Sequence, residues 1–227
     1  MRSTASLALV GIIGVVLSAA DSDAAVAPGV SASQKLPPKT VASLQAPKPG
    51  IWKDAVGAGF QSSARHVGVT AGAGPGMTVF GTKHAHDIAL GGVSYGKMWG
   101  DVKGEGHWWR GNWEWHAELF AGSEFNPRTE YLVGLAPHIR YNFATGTRWV
   151  PFLDAGGGVT ATDIGKPELG GAFQFNLQPG LGVNYFVKPN LALSAECRWL
   201  HLSSARISTP NLGVNTCLFI VGLNWFF

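Results

Sequence analysis

The 227-residue chain is 46% hydrophobic and only 14% charged, with a formal net charge of +3, 31 glycines and nine tryptophans. That balance is unusual for a soluble domain, yet no second apolar run is long enough for a spanning helix, which excludes a helical membrane protein. The net charge is too mild to suggest a nucleic-acid partner.

In chain order, Met1-Arg2 and the apolar run from Ala5 to Ala20, closed by small residues, predict a cleaved signal peptide over residues 1–24. Residues 25–50, rich in Ala, Pro, Ser and Lys without sustained periodicity, read as a periplasmic tether. Residues 51–227 suffice for one domain, and their dominant signal is period two. Strands are predicted at 64–73, 87–99, 112–122, 130–143, 149–161, 172–187, 191–204 and 215–227. Tyr131, Val133, Leu135, Ile139, Tyr141 and Phe143 form one apolar row, opposed by His138, Arg140 and Asn142. Phe173, Phe175, Leu177, Leu181, Val183, Tyr185 and Val187 form a second, opposed by glutamines, asparagines and glycines. No helix produces these rows. They predict an all-β fold, an eight-stranded antiparallel transmembrane β-barrel of the outer membrane, filled by side chains and so not a pore.

Connections test the same assignment, because such barrels have short periplasmic turns and longer external loops. Residues 145–148 and 188–190 are short, whereas 122–129, 162–171 and 204–214 are longer; 101–111 is long for a periplasmic turn. An even strand number puts both barrel ends in the periplasm and the loop after Ser203 outside. Glu114, His116, Glu118, His138, Arg140, Asp154, Glu196 and Arg198 share the inward parity and read as a self-satisfying lumen network. His84 and His86 offer two nitrogens on one side, but no third ligand of matched spacing accompanies them, so no metal or cofactor is expected.

The last hairpin carries the chemistry. Leu191, Leu193, Ala195, Cys197 and Trp199 face lipid, and the same parity carried forward lands on His201 and Ser203. Residues two apart on a strand stand on one face about 7 Å apart along the backbone, within reach for a base and a nucleophile. Asn215 shares the outward parity of Cys217 and Phe219 and starts the partner strand, where its carbonyl oxygen would fix the imidazole. Read from the residues alone, His201 and Ser203 fit a catalytic pair and a polar collar at the membrane interface equally well. Glu196 has the wrong parity to orient the ring. Cys197 is expected opposite a residue near 219–221, out of register with Cys217, which predicts free thiols.

Glu196-Cys197-Arg198-Trp199-Leu200-His201-Leu202-Ser203-Ser204-Ala205, followed by Pro210-Asn211-Leu212-Gly213-Val214-Asn215, closely resembles the terminal hairpin of the lipid A 3-O-deacylases, also labelled acyloxyacyl hydrolases. The likeness extends through Pro137–Phe143 and Phe173–Gly182, most of the barrel. It implies a serine esterase that removes the ester-linked 3-hydroxyacyl chain of lipid A, with Ser203 as nucleophile and His201 as general base. Lipid A or lipopolysaccharide in the outer leaflet is the implied partner.

Two positions depart from that family's pattern. Asn215 stands where its best-known members have glutamate, an exchange with precedent in outer-membrane phospholipase A, whose triad is Asn, His and Ser. Ser204 stands where they have an oxyanion-binding asparagine; its hydroxyl, or the amides of Ala205 and Arg206, are the expected substitutes. A phospholipase A-like esterase and a non-catalytic small barrel are the alternative readings.

Overall fold

The computed structural model describes residues 62–227. The predicted signal peptide and tether lie outside the described residues. Eight strands follow in order: β1 (Arg65–Gly74), β2 (Asp87–Lys103), β3 (Gly111–Asn126), β4 (Glu130–Phe143), β5 (Trp149–Thr162), β6 (Phe173–Lys188), β7 (Leu191–Ser203) and β8 (Val214–Phe226). Each pairs antiparallel with the next, and β1 pairs with β8, so the sheet closes into a barrel. Strict alternation drives this closure. Along β5, for example, Val150, Phe152, Asp154 and Thr160 are buried while Trp149, Leu153 and Val159 stay exposed.

The exposed set is apolar, the reverse of a soluble sheet. Val69, Val93, Leu119, Val133, Leu135, Leu153, Leu177, Leu181, Leu193 and Val221 make a continuous outer band. Trp99, Trp113, Trp115, Trp149 and Trp225 ring its short-turn end, and Phe125, Tyr131 and Phe173 its long-loop end. An apolar band between two aromatic girdles is the surface a bilayer demands.

Inside, three layers stack along the axis. Ile88, Leu90, Phe120, Leu132, Leu200, Leu202, Leu218 and Ile220 form an apolar plug toward the long loops. Met98, Val150, Phe186, Ala192 and Phe226 form another toward the short turns. Between them lies the polar layer expected from inward parity. Arg198 donates to both Glu196 oxygens at 2.7 and 3.1 Å, to Gln178 at 3.1 Å, and to Glu118. Arg140 donates to Asp154 at 2.6 Å, and Glu114 takes His66 at 2.7 Å and Asn142 at 2.9 Å. Gly156 makes room for this layer, since a Cβ there would fall 2.2 Å from the His138 ring.

Two boundaries differ from the sequence reading. Strand β3 runs on to Asn126, beyond the expected end at 122, so the β3–β4 connection is a tight turn at 127–129 rather than a long loop. Strand β2 likewise continues to Lys103. Past the bilayer edge the outward face no longer has to be apolar, so the alternation that marks a strand in sequence disappears while the hydrogen-bonded ladder continues.

The charged layer yields a stability prediction. Replacing Arg198 with methionine strands Glu118 and Glu196 in a sealed interior, at an expected cost of about 3–5 kcal/mol. Urea unfolding in detergent, followed by tryptophan fluorescence, measures it. Adding Glu118→Gln and Glu196→Gln to Arg198→Met is expected to recover part of the loss.

Candidate active site

Strand β7 presents Cys197, Trp199, His201 and Ser203 on its outer face, and β8 presents Asn215 and Cys217. The hairpin register sets His201 directly opposite Asn215. Their side chains meet, with His201 Nδ1 2.8 Å from Asn215 Oδ1. On the other flank, β6 places Leu177 opposite His201 and Phe175 opposite Ser203.

Asn215 is fully buried despite its outward parity. The β1–β2 loop, residues 75–86, covers it. This segment continues from β1 along β8, where the Cys217 amide donates to Pro75 O at 3.0 Å and the Met77 amide to Asn215 O at 2.8 Å. Farther along, Asn215 Nδ2 donates to Val79 O at 3.2 Å and to Thr82 Oγ1 at 2.7 Å, and the Thr82 hydroxyl donates to Gly213 O at 3.0 Å.

These contacts fix the protons. A backbone carbonyl only accepts, so the amide nitrogen of Asn215 must face Val79 and its oxygen must face the ring. His201 Nδ1 therefore carries the hydrogen, and Nε2 is left as the lone-pair nitrogen. Gly213 lets the ring sit there: its φ is +80°, and a Cβ would lie 2.9 Å from His201 Cε1.

Ser203 lies half-buried on the same face as His201, and among the described residues no hydrogen bond joins its hydroxyl to the imidazole. Beyond it, Ala205 and Arg206 have φ of +49° and +69°, and the Ile207 amide donates to Ser204 O at 3.0 Å, which makes Ser204–Ile207 a type I′ turn. Ser204 is buried on the lumen side and committed to the loop. Its amide donates to Asn211 Oδ1 at 2.7 Å, and its hydroxyl bonds Asn211 Oδ1 at 3.1 Å and Ser208 O at 3.2 Å. The expected oxyanion role of the Ser204 hydroxyl therefore has no free donor behind it. The Ala205 and Arg206 amides carry no hydrogen bond among the described residues.

Sequence reasoning missed Thr82, Val79 and Asn211. Nothing in the hairpin announces that residues more than 130 positions upstream in the chain hold Asn215. The cysteines lie in the expected register, Cys197 opposite Phe219 and Cys217 opposite Trp199. Their sulfurs nevertheless approach diagonally to 3.6 Å, closer than that register alone suggested, because diagonal neighbours across a twisted pair lie within side-chain reach. In the lumen, His116, His138 and Asp154 each bring one ligand atom within 4.8 Å of the others. The two rings are stacked, with centroids 4.5 Å apart and planes 14° from parallel, so no ion can lie in both ring planes. Asp154 is already shared by His138 and Arg140. That trio belongs to the barrel's structural layer.

A family model described as lipid A 3-O-deacylase (PagL) matches residues 90–224, which contain His201, Ser203 and Asn215. Among solved structures, the barrel is similar to neisserial surface protein A, with TM-score 0.54 and 17% identity over 73% of this chain and 100% of that one. It is also similar to the outer membrane enzyme PagL, with TM-score 0.50 and 22% identity over 68% of this chain and 97% of that one. At such identities these likenesses speak to the fold, that of small outer-membrane barrels. No curated protein matches the sequence. The family model spans more than half of the sequence and ends within the strand that carries Asn215: this chain belongs to the lipid A 3-O-deacylase family.

Proposed function

We propose that the protein is an outer-membrane serine esterase that releases the ester-linked 3-hydroxyacyl chain of lipid A. The observation that carries the reading is the His201–Asn215 pair, held at 2.8 Å on the lipid-facing side of the barrel with Ser203 two residues along the same face. A water-soluble substrate has no reason to visit such a surface. An acyl chain does, and Phe175, Leu177 and Trp199 flank the pair with apolar area.

In this mechanism His201 Nε2 takes the Ser203 proton as the hydroxyl attacks the ester carbonyl. The Ala205 and Arg206 amides, both on the outer turn, supply the oxyanion donors in place of Ser204. Proton return from the imidazolium lets the sugar alcohol leave, and water then frees the fatty acid by the same route. Asn215 keeps the ring in the correct tautomer but adds no negative charge, so the imidazolium gains less stabilisation than a carboxylate would give it. Exposed Arg206 stands where a lipid A phosphate could reach it.

Thr82 acts one step back from the chemistry. Its hydroxyl joins the Asn215 amide to Gly213 O and thereby supports the ring from behind.

Two measurements test this reading. Ser203→Ala is expected to retain the folded barrel and lose about 10⁴-fold or more of activity, read by mass spectrometry of lipid A incubated with the protein in mixed micelles. Wild-type protein that releases no acyl chain overturns the proposal, and release from glycerophospholipid alone redirects it to a phospholipase A-like esterase. Thr82→Val, nearly isosteric, removes two hydrogen bonds, each worth about 0.5–1.5 kcal/mol. It is expected to lower kcat several-fold with KM unchanged, and Thr82→Ser is expected to restore it.

A further inference from the structure

Two histidines and two glutamates converge at the long-loop mouth of the barrel, away from the hairpin chemistry. His84 and His86 end the β1–β2 loop, Glu124 comes from β3, and Glu168 from the β5–β6 loop. They line one cavity of about 230 Å³, with Arg128 and Lys166 also on its wall. His86, Glu124 and Glu168 are buried, whereas the His84 side chain is 57% exposed.

The hydrogen bonds decide what each atom offers. His86 Nδ1 lies 2.8 Å from Glu124 Oε1, the arrangement in which a carboxylate takes the Nδ1 hydrogen and turns Nε2 outward as a ligand. His86 Nε2 is buried without a hydrogen-bond partner. It faces Glu168 Oε2 at 3.6 Å. That distance is too long for a hydrogen bond. It is close to the spacing of two ligand atoms on one tetrahedral zinc ion, about 3.4 Å for bonds of about 2.0–2.1 Å. Two lone pairs facing each other in a buried site repel; a proton on Nε2 or a metal ion between the atoms relieves this, and the gap is longer than the hydrogen bond that a proton would make.

Glu168 is ready to serve. Its Oε1 accepts from the His84 ring and amide, which leaves Oε2 facing His86. The His84 ring rests on Glu168 Oε1 at 2.8 Å, and its exposure leaves it free to turn inward.

We propose that this cavity binds a divalent transition-metal ion of the zinc type, ligated by His86 Nε2, Glu168 Oε2 and the inward-turned His84 ring, with water completing the shell. Glu124 orients His86 from outside the ligand set. Imidazole with carboxylate selects zinc, cobalt or nickel over calcium or magnesium. The ion ties the β1–β2 loop to the β5–β6 loop. Because the β1–β2 loop also carries Val79 and Thr82, metal binding stiffens the cover over Asn215.

The test uses the untagged, full-length chain in detergent, titrated with Zn²⁺ by calorimetry and with Co²⁺ by visible absorption. One equivalent of Zn²⁺, a raised thermal midpoint and a tetrahedral Co²⁺ band are expected. His86→Gln and Glu168→Gln are expected to weaken binding by more than the roughly 10–100-fold typical of outer-shell changes, and Glu124→Gln by about that much. His84→Ala, at an exposed position, preserves the barrel and is expected to weaken binding at least about tenfold. Absence of Zn²⁺ binding at millimolar concentration overturns the proposal, as does unchanged affinity in His84→Ala together with either buried-ligand variant. These readouts do not depend on hydrolysis, so they stand or fall apart from the esterase reading.

Discussion

A sheet immersed in hydrocarbon has no water to satisfy its edges, and that constraint orders everything else in this protein. Every backbone amide and carbonyl must find a partner within the sheet, so β1 has to meet β8 and the sheet has to close. Once closed, each strand has one face in lipid and one in a lumen too narrow for solvent. Polar groups of odd and even parity then meet opposite fates: Glu196 and Arg198 become a buried ion pair, while His201 and Ser203, a few residues later, stand outside.

That separation explains how a hydrolase-like arrangement coexists with a densely charged interior. Glu114, Glu118, Asp154 and Glu196 surround Arg140 and Arg198 between two apolar plugs. Each of these carboxylates meets a guanidinium within 4 Å, and His66 and His138 hydrogen-bond Glu114 and Asp154 as well. The outer pair instead borrows its surroundings from a loop: Asn215 is shielded by residues 75–86, and in the left-handed β7–β8 turn the Ala205 and Arg206 amides make no hydrogen bond among the described residues. One hairpin thus supplies the His201–Asn215 pair and another segment supplies its environment.

The parity signal made the barrel legible. In β6, large apolar residues against Gln174, Asn176 and Gln178 admit no other regular structure, and the observed bounds match within a residue or so. The hairpin register was legible only to within two residues: parity and loop length put His201 or Ser203 opposite Asn215, and the ladder selects His201. The extension of β3 was not, because Ser123 puts a polar side chain on the outward parity without breaking the ladder. Contacts between loops were hidden for a different reason. Thr82 with Asn215, and His86 with Glu168, are distant in sequence, and only closure of the barrel makes them neighbours. The fate of Ser204 was equally hidden, since its capture by Asn211 depends on the fold of a loop with no periodicity.

The cover over Asn215 has a consequence for the order of events during assembly. His201, Ser203 and Asn215 all lie in the final hairpin, yet the brace behind Asn215 grows out of the first strand and is seated by the seam between β1 and β8. A chain whose seam is still open possesses the hairpin without its support. Support for the His201–Asn215 pair therefore waits on completion of the cylinder, however early the two residues themselves are in place.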